Sequence, residues 1–340
     1  MIDDTFSAIL KSVAAGATLD VEQSACAFSL IMAGEVSEIE IAAFVAAMAV
    51  RQPTVEEIVG AARAMRSAMK SIEANPYAID LCGTGGDGAG TLNISTACAF
   101  VVAACGVPVA KHGNRNMSSK SGAADCLEAL GVKIELSPEG ASLCLRETGL
   151  CFLFAQTYHP AMKHAARVRR ELGFRTIFNL LGPLSNPARV RRQLVGVYDH
   201  AWTQPLAEAL FRLGADRAWV VHGDGLDEIA ISGPTRVAIL ENGKVSVRDI
   251  GPEDAGLSWS PLSAISGGTA EENAAALRRL LDGETGAYRD IVLINSAAAL
   301  LIAGMASNLK EGAALAASAI DTGEAKAKLS NLIAVSKAAA

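Results

Sequence analysis

Five glycines in eight positions, Gly83, Gly85, Gly86, Gly88 and Gly90, lie between a short apolar run, Ala78 to Cys82, and a helix-like apolar stretch from Ile94. Strand, glycine loop and helix in that order tie the chain to folds that alternate strands and helices. Glycine lets the backbone come close to a ligand and aim successive N–H groups at it. Ser95 and Thr96 are expected to cap the helix beyond. Such a junction cradles an anion, most often a phosphate.

Gly83-Thr-Gly85-Gly-Asp-Gly88 satisfies the G-x-G-x-x-G pattern of dinucleotide-binding loops. Two details oppose that reading. The pattern expects an acidic residue about 20 positions on, to hold the ribose hydroxyls. Here the next apolar run, Val107 to Ala110, leads into Lys111-His112-Gly113-Asn114-Arg115, which is basic. Asp87, inside the loop, would repel a pyrophosphate unless a metal or a ribose hydroxyl takes its charge. A glycine-rich loop followed by a basic one suits a phosphorylated sugar.

Composition narrows the class. A chain of 340 residues buries roughly 75% of its unfolded surface, so no staple is needed. With 51% hydrophobic and only 5% aromatic residues, the core is built from Ala, Leu, Val and Ile. The net charge of −6 argues against nucleic acid or a membrane surface as the main partner. Seven cysteines, an odd number with no C-x-x-C pair, read as buried thiols in a reducing cytosol. The first residues lack a basic leader, and the apolar stretches Ala97–Ala110 and Ile291–Met305 are too interrupted for a membrane span. The expectation is a soluble, cytoplasmic protein.

The periodicity changes once. Residues 1–74 are helical throughout, with capping boxes at Asp20…Gln23, Ser37…Glu40 and Thr54…Glu57 and helices near 3–14, 20–33, 38–50 and 55–72. From Tyr77, short apolar runs alternate with helical ones. Strands are expected at Ala78–Cys82, Val107–Ala110, Val132–Glu135, Cys151–Ala155, Leu194–Tyr198 and Arg217–His222. A hairpin, Val237–Leu240 with Val245–Val247, turns at Asn242-Gly243. Helices are expected at 137–149 and 160–173 and over most of the chain from Thr269, with a fraying tail from Ala325 to Ala340. The fold class is α/β: a small helical domain, 1–74, and a larger domain, 75–340, with a mostly parallel central sheet and helices on both faces. Ligands of such sheets bind at the carboxyl ends of the strands, where the loops after residues 82, 110 and 222 all fall.

Three constellations can carry chemistry. Lys111 to Ser121 mixes cations, amides, hydroxyls and a glycine, which is what a phosphate wants. Asp227-Glu228 follows a strand and offers carboxylates to Mg²⁺, which commonly takes one or two of them plus substrate oxygens. In a regular strand the two would face opposite ways, so the loop must bend to bring both to one site. From Lys163 to Arg192, eight cations face one acid, Glu171, and one of these arginines can clamp a carboxylate. No metal-binding histidine spacing, nucleophile elbow or Walker sequence is present.

Gly83-Thr-Gly-Gly-Asp87, Asn93-Ile-Ser-Thr96, Lys111-His-Gly-Asn-Arg115 with Ser118-Ser-Lys-Ser121, His159-Pro160, Arg169-Arg-Glu-Leu-Gly173, Arg175-Thr-Ile-Phe-Asn179-Leu-Leu-Gly-Pro183 and Asp227-Glu228 together resemble the anthranilate phosphoribosyltransferases. The match is collinear over nearly the whole chain. The resemblance implies transfer of the phosphoribosyl group of 5-phosphoribosyl 1-diphosphate to the amine of anthranilate, a step of tryptophan biosynthesis. It implies Mg²⁺ as cofactor and a homodimer formed through the helical domain, with helices near 160–190 packed against that domain. It also implies a fold like that of the pyrimidine nucleoside phosphorylases. A phosphorylase and a non-catalytic nucleic-acid-binding relative are therefore the alternatives.

Carried over, the substrate-binding residues are Gly83, Gly86, Asp87, Thr91, Asn93, Ile94, Ser95, Thr96, Lys111, His112, Gly113, Asn114, Arg115, Asn116, Met117, Ser118, Ser119 and Ala123 for phosphoribosyl diphosphate. Asn114 and Arg169 fall to anthranilate, and Ser95, Asp227 and Glu228 to Mg²⁺. Asn116-Met117 stands where small residues are common, and Ala123 where a serine often contacts phosphate. The arylamine needs no deprotonation before attack. His112 is the one candidate for a base afterwards, with water as the alternative.

Overall fold

The computed structural model describes residues 2–115 and 121–340. Four helices open the chain: α1 (Ile2–Ala14), α2 (Val21–Ala33), α3 (Glu38–Arg51) and α4 (Val55–Ala68). All three expected capping boxes form, each side chain accepting from the third helical N–H while that residue's own side chain reaches back. Glu57 does more than cap. Fully buried, it accepts from the N–H groups of Leu19 and Thr54 and from Arg51, and so ties α4 to the chain before α2.

The α/β part runs β1 (Ile79–Gly83), α5 (Ile94–Ala104), β2 (Val109–Gly113), α6 (Ala123–Leu130), α7 (Pro138–Thr148), β3 (Leu150–Phe154), α8 (Ala155–Tyr158), α9 (Lys163–Leu172), α10 (Phe178–Leu181), β4 (Arg192–Gly196), α11 (Thr203–Arg212), β5 (Arg217–Gly223), β6 (Thr235–Glu241) and β7 (Lys244–Ile250). Helices α12 (Ala270–Leu281), α13 (Ala287–Ala303), α14 (Leu309–Asp321) and α15 (Glu324–Ala338) close it. The sheet order is β3-β2-β1-β4-β5-β6-β7, parallel as far as β5 and antiparallel at β6 and β7. Strand order reverses between β1 and β4, and the crevice at their carboxyl ends is where such sheets bind ligands.

Side chains alternate across the sheet. Leu194, Trp219 and Val221 join a core with α5–α7 and α12–α15, while Val195, Ala218 and Val220 join one with α1–α4 and α9–α11. The second core therefore runs without a break from the helical bundle, through the 160–180 segment, onto one face of the sheet.

Several expectations are corrected. Val132–Glu135 is not a strand. Val132, Ile134 and Leu136 are buried in alternation, but the Val132 N–H donates to Leu127 O within its own turn and the Lys133 N–H to the Ser336 side chain of α15, so the segment joins no ladder. Helix α4 stops at Ala68, because Lys70 and Ile72 donate to Tyr158 and Pro187 carbonyls instead of continuing it. The 160–173 helix starts with a separate 3₁₀ turn, Pro160–Met162. The tail does not fray: α15 buries Ala325, Leu329 and Leu332, spaced as one helical face, into the core. Of the thiols, Cys26 is exposed and Cys105 half-buried. Strand β2 begins two residues late and extends to Gly113, so Lys111 and His112 belong to a strand and not to a loop. Among the described residues no helix is long and apolar enough to cross a membrane.

Candidate active site

Gly83 and Gly196 face each other in register at the ends of β1 and β4. Neither has room for a side chain: a Cβ on Gly83 would overlap the Asp227 carboxyl, and one on Gly196 the Asp227 backbone. The acidic turn is thus pressed into the reversal of the sheet. After β5 the chain turns sharply, with Asp224 and Gly225 at φ 49° and 85°, and Gly223 and Leu226 exchange backbone hydrogen bonds. That bend answers the expectation about Asp227 and Glu228. Asp227 Oδ2 accepts from the Gly85 N–H at 2.7 Å, and Glu228 Oε1 from the Ser95 N–H at 3.1 Å. Both acids meet the same loop and helix start.

The two carboxyl groups lie deep in protein although the residues as a whole are half-buried. Burial, then repulsion by Asp87, raises the Asp227 pKa. Burial, then repulsion by Asp227, raises that of Glu228, against the pull of Lys111. Asp87 Oδ1 accepts from the Ala89 N–H and shapes the loop as well. Three acids therefore crowd one crevice with Lys111 as the neighbouring cation. This surplus fits a hard divalent cation that completes its shell with substrate oxygens. Among the described residues no set of three His, Cys, Asp or Glu side chains forms a ready-made metal cage.

Helix α5 differs from the other site elements. Ser95 and Thr96 are not its caps but lie in its first turn. The cap is Asn93, whose side chain makes no capping bond. Thr91 bridges Ser266, and Leu92 N–H donates to Ile265 O, so the segment 265–267 pins the loop's far end. Ile94 and Thr96 are buried.

The basic residues are placed differently from expectation. Lys111 is buried, and its Nζ donates to Leu81 O at 2.5 Å and Ser95 Oγ at 3.1 Å. It braces the cradle from beneath because strand alternation turns it inward. Arg115 is held by Asp125 and Glu128 of α6 and lies over the Phe154 ring, so its guanidinium is already paired. Asn114 Oδ1 accepts from the Arg115 N–H. Ala123 opens α6 against Gly113. Asn116, Met117, Ser118 and Ser119 lie outside the described residues.

His112 is buried beside His159, ring centroids 5.0 Å apart. Its Nδ1 lies 3.1 Å from Gly182 O. A carbonyl only accepts, so Nδ1 carries the proton and Nε2 presents a lone pair. That Nε2 is buried with no partner among the described residues. Burial, and then His159, push the His112 pKa down to about 3. As a proton base it is therefore weak; as a hydrogen-bond acceptor it is intact. Arg169 stands over the Phe178 ring at 5.6 Å with no acidic partner among the described residues, and desolvation lowers its pKa. Arg167, two residues earlier, is paired with Glu38 and Glu171.

Some contributors escaped the sequence reading. Arg175 donates to Gly86 O and stacks 4.2 Å over Tyr198, whose N–H donates to Thr84 Oγ1, so it fastens the glycine loop to the segment after α9. Gly196, in Leu-Val-Gly-Val-Tyr, had one local signal, a glycine at a strand's end. Asn273 and Tyr288 lie about 180–195 residues from Asn93, and nothing local marks them.

Comparison with known proteins agrees with this geometry. The glycosyl transferase family a/b domain matches residues 75–326, and the glycosyl transferase family helical bundle domain matches residues 7–69. Anthranilate phosphoribosyltransferase of Rhodopseudomonas palustris (strain HaA2) is 55% identical over 340 residues, all of both chains. The crystal structure of anthranilate phosphoribosyltransferase from Thermus thermophilus superposes with a TM-score of 0.93 at 45% identity, covering 97% of this chain and 99% of that one. Anthranilate phosphoribosyltransferase from Saccharomyces cerevisiae, in complex with PRPP (phosphoribosyl diphosphate) and Mg, superposes with a TM-score of 0.90 at 27% identity over 98% of each chain. With both halves matched and a close relative of equal length, this chain belongs to the anthranilate phosphoribosyltransferases.

Proposed function

We propose that the crevice between β1 and β4 binds phosphoribosyl diphosphate with Mg²⁺, and that Arg169 holds anthranilate by its carboxylate. The observation that carries this is a pairing of opposites. The crowded acids Asp87, Asp227 and Glu228 want a cation, and the start of α5 beside them, left open by the Asn93 side chain and met by Glu228 at the Ser95 N–H, wants an anion for the rest of its first turn. A metal-bound diphosphate is both. The yeast relative's complex with PRPP and Mg supports the same pair of ligands.

Ser95, Asp227 and Glu228 would hold the Mg²⁺, which when bound neutralises charge on the departing diphosphate. The chain's own part is positional and electrostatic. N–H groups of the glycine loop and of the first turn of α5 hold the phosphates. The bond between ribose C1 and the diphosphate oxygen breaks, its electron pair leaving with that oxygen while positive charge builds on the sugar. Arg169, desolvated and with no acidic partner among the described residues, fixes the anthranilate carboxylate so that the amine lone pair faces C1. His112 Nε2 accepts from the amine N–H and orients it. The proton passes to water after attack, since the imidazole is too weak a base to keep it.

Exposed Ile39 and Val50, 82% and 89% accessible on α3, support a homodimer through the helical bundle. The buried free thiols support a reducing, cytoplasmic setting. The test of the activity is loss of anthranilate fluorescence. It is expected only when Mg²⁺ and phosphoribosyl diphosphate are both present. Consumption without either one would overturn the proposal.

A further inference from the structure

Asn93 is a residue of the kind that caps helices, yet at the head of α5 it caps nothing. Its side chain is engaged elsewhere. Asn93 Oδ1 accepts from Asn273 Nδ2 at 2.9 Å and from Ser121 Oγ at 3.4 Å, and its carbonyl accepts from the Tyr288 hydroxyl at 3.2 Å. Asn273, buried on α12, in turn accepts on its Oδ1 from the Gly268 N–H at 2.8 Å.

The polarity of this chain is fixed from one end. A backbone N–H can only donate, so Asn273 must turn its oxygen to Gly268 and its NH₂ to Asn93. Asn93 must then answer with its oxygen. Its own NH₂ is left facing away, with no acceptor among the described residues. Two amides, each free to flip when isolated, are set by a single donor.

We propose that Asn273 is a positioning residue: by relay from Gly268 it fixes the Asn93 amide, so that Asn93 presents an NH₂ donor to phosphoribosyl diphosphate and leaves the first turn of α5 open to the same anion. The proposal rests on the reading of the crevice as the phosphoribosyl diphosphate site. Tyr288, holding the carbonyl, keeps the Asn93 peptide plane in register with the relay.

The test is steady-state kinetics with Mg²⁺ on three variants, with thermal melts as a check on folding. Asn93→Asp puts an acceptor where the donor stood. It should raise the KM for phosphoribosyl diphosphate about tenfold or more and leave that for anthranilate unchanged. Asn273→Asp, assayed at about pH 8.5 where the new acid is ionised, offers Asn93 only an acceptor and turns its amide round. It should raise the same KM in the same range. Asn273→Leu is of similar size and offers nothing; Asn93 then samples both orientations, and the rise should be only about two- to threefold.

A residue that merely fills space predicts the reverse order, leucine at least as harmful as aspartate. That order, or a wild-type KM in Asn273→Asp when Asn93→Asp is impaired, overturns the relay. Should Asn273→Asp not fold, a wild-type KM in a folded Asn273→Leu overturns it equally. A wild-type KM in Asn93→Asp itself would instead remove Asn93 from the substrate site, and the relay with it.

Discussion

Two sets of helix starts in this molecule are built on opposite plans. Helices α2, α3 and α4 close their N-termini with full capping boxes, and α12 does the same with Thr269 and Glu272. Helix α5 has a capable residue at its head, withholds its side chain, and carries no acid in its first turn. The closed starts satisfy themselves and hold the fold. The open one gives its Ser95 N–H to Glu228 and leaves the rest of its first turn for a partner that is not protein. A helix start whose capable cap residue is turned to another task, beside starts that close themselves, marks where stability has been exchanged for binding.

The sharpest way to break this contrast is at the acids facing the open start. Asp227→Ala with Glu228→Ala should cut turnover by about a hundred- to a thousandfold. The melting temperature should hold, because two buried, mutually repelling carboxyls are removed. Near-normal turnover would remove the metal assignment.

Next in size is a pH effect at the seam between bundle and sheet. Burial pushes the His159 pKa down to about 4. The unfolded chain takes up this proton near pH 6.5, so its contribution to stability is complete above about 6.5 and is lost as pH falls toward 4. Between about pH 6.5 and 4.5 the wild type should lose about 2 kcal/mol more than His159→Gln in denaturant titrations. Parallel pH dependences would mean that the folded histidine titrates freely.

Arg169→Ala should then raise the KM for anthranilate about tenfold, well beyond its effect on phosphoribosyl diphosphate. Equal effects would deny it the carboxylate. The smallest change belongs to the closed starts: Ser37→Ala should cost about 1 kcal/mol of stability with kinetics untouched. Altered kinetics there would erase the division between the two kinds of helix start.

What could be read in advance follows the range of the interaction concerned. Capping boxes join residues three apart, the Asn242-Gly243 hairpin turns on two, and the glycine loop runs over about a dozen; all are local and all were legible. Val132–Glu135 shows where local reading stops. Its alternation reported burial correctly, but a strand also needs a neighbour, and the backbone found partners in its own chain turn and in Ser336. Lys111 shows the same limit at the site. Its charge named the chemistry of the region, while its direction depended on where β2 begins to pair with β3. Asp227 and Glu228 were visible as acids, and their convergence only through the bend at Asp224-Gly225, which seats against Gly83 and Gly196. Asn273 and Arg175 act across long sequence separations, and no window of sequence could join them to the loop they hold.

The two facing glycines have one more consequence. The acidic turn is located less by what grips it than by what is missing around it: the side chains that Gly83 and Gly196 lack at the rim of the sheet. A single added methyl would meet the Asp227 carboxyl from position 83 and its backbone from position 196, and either would push the turn outward and strain its bond from the Gly85 N–H. At this point the enzyme is more vulnerable to gaining atoms than to losing them, and alanine, elsewhere the mildest of replacements, becomes a wedge.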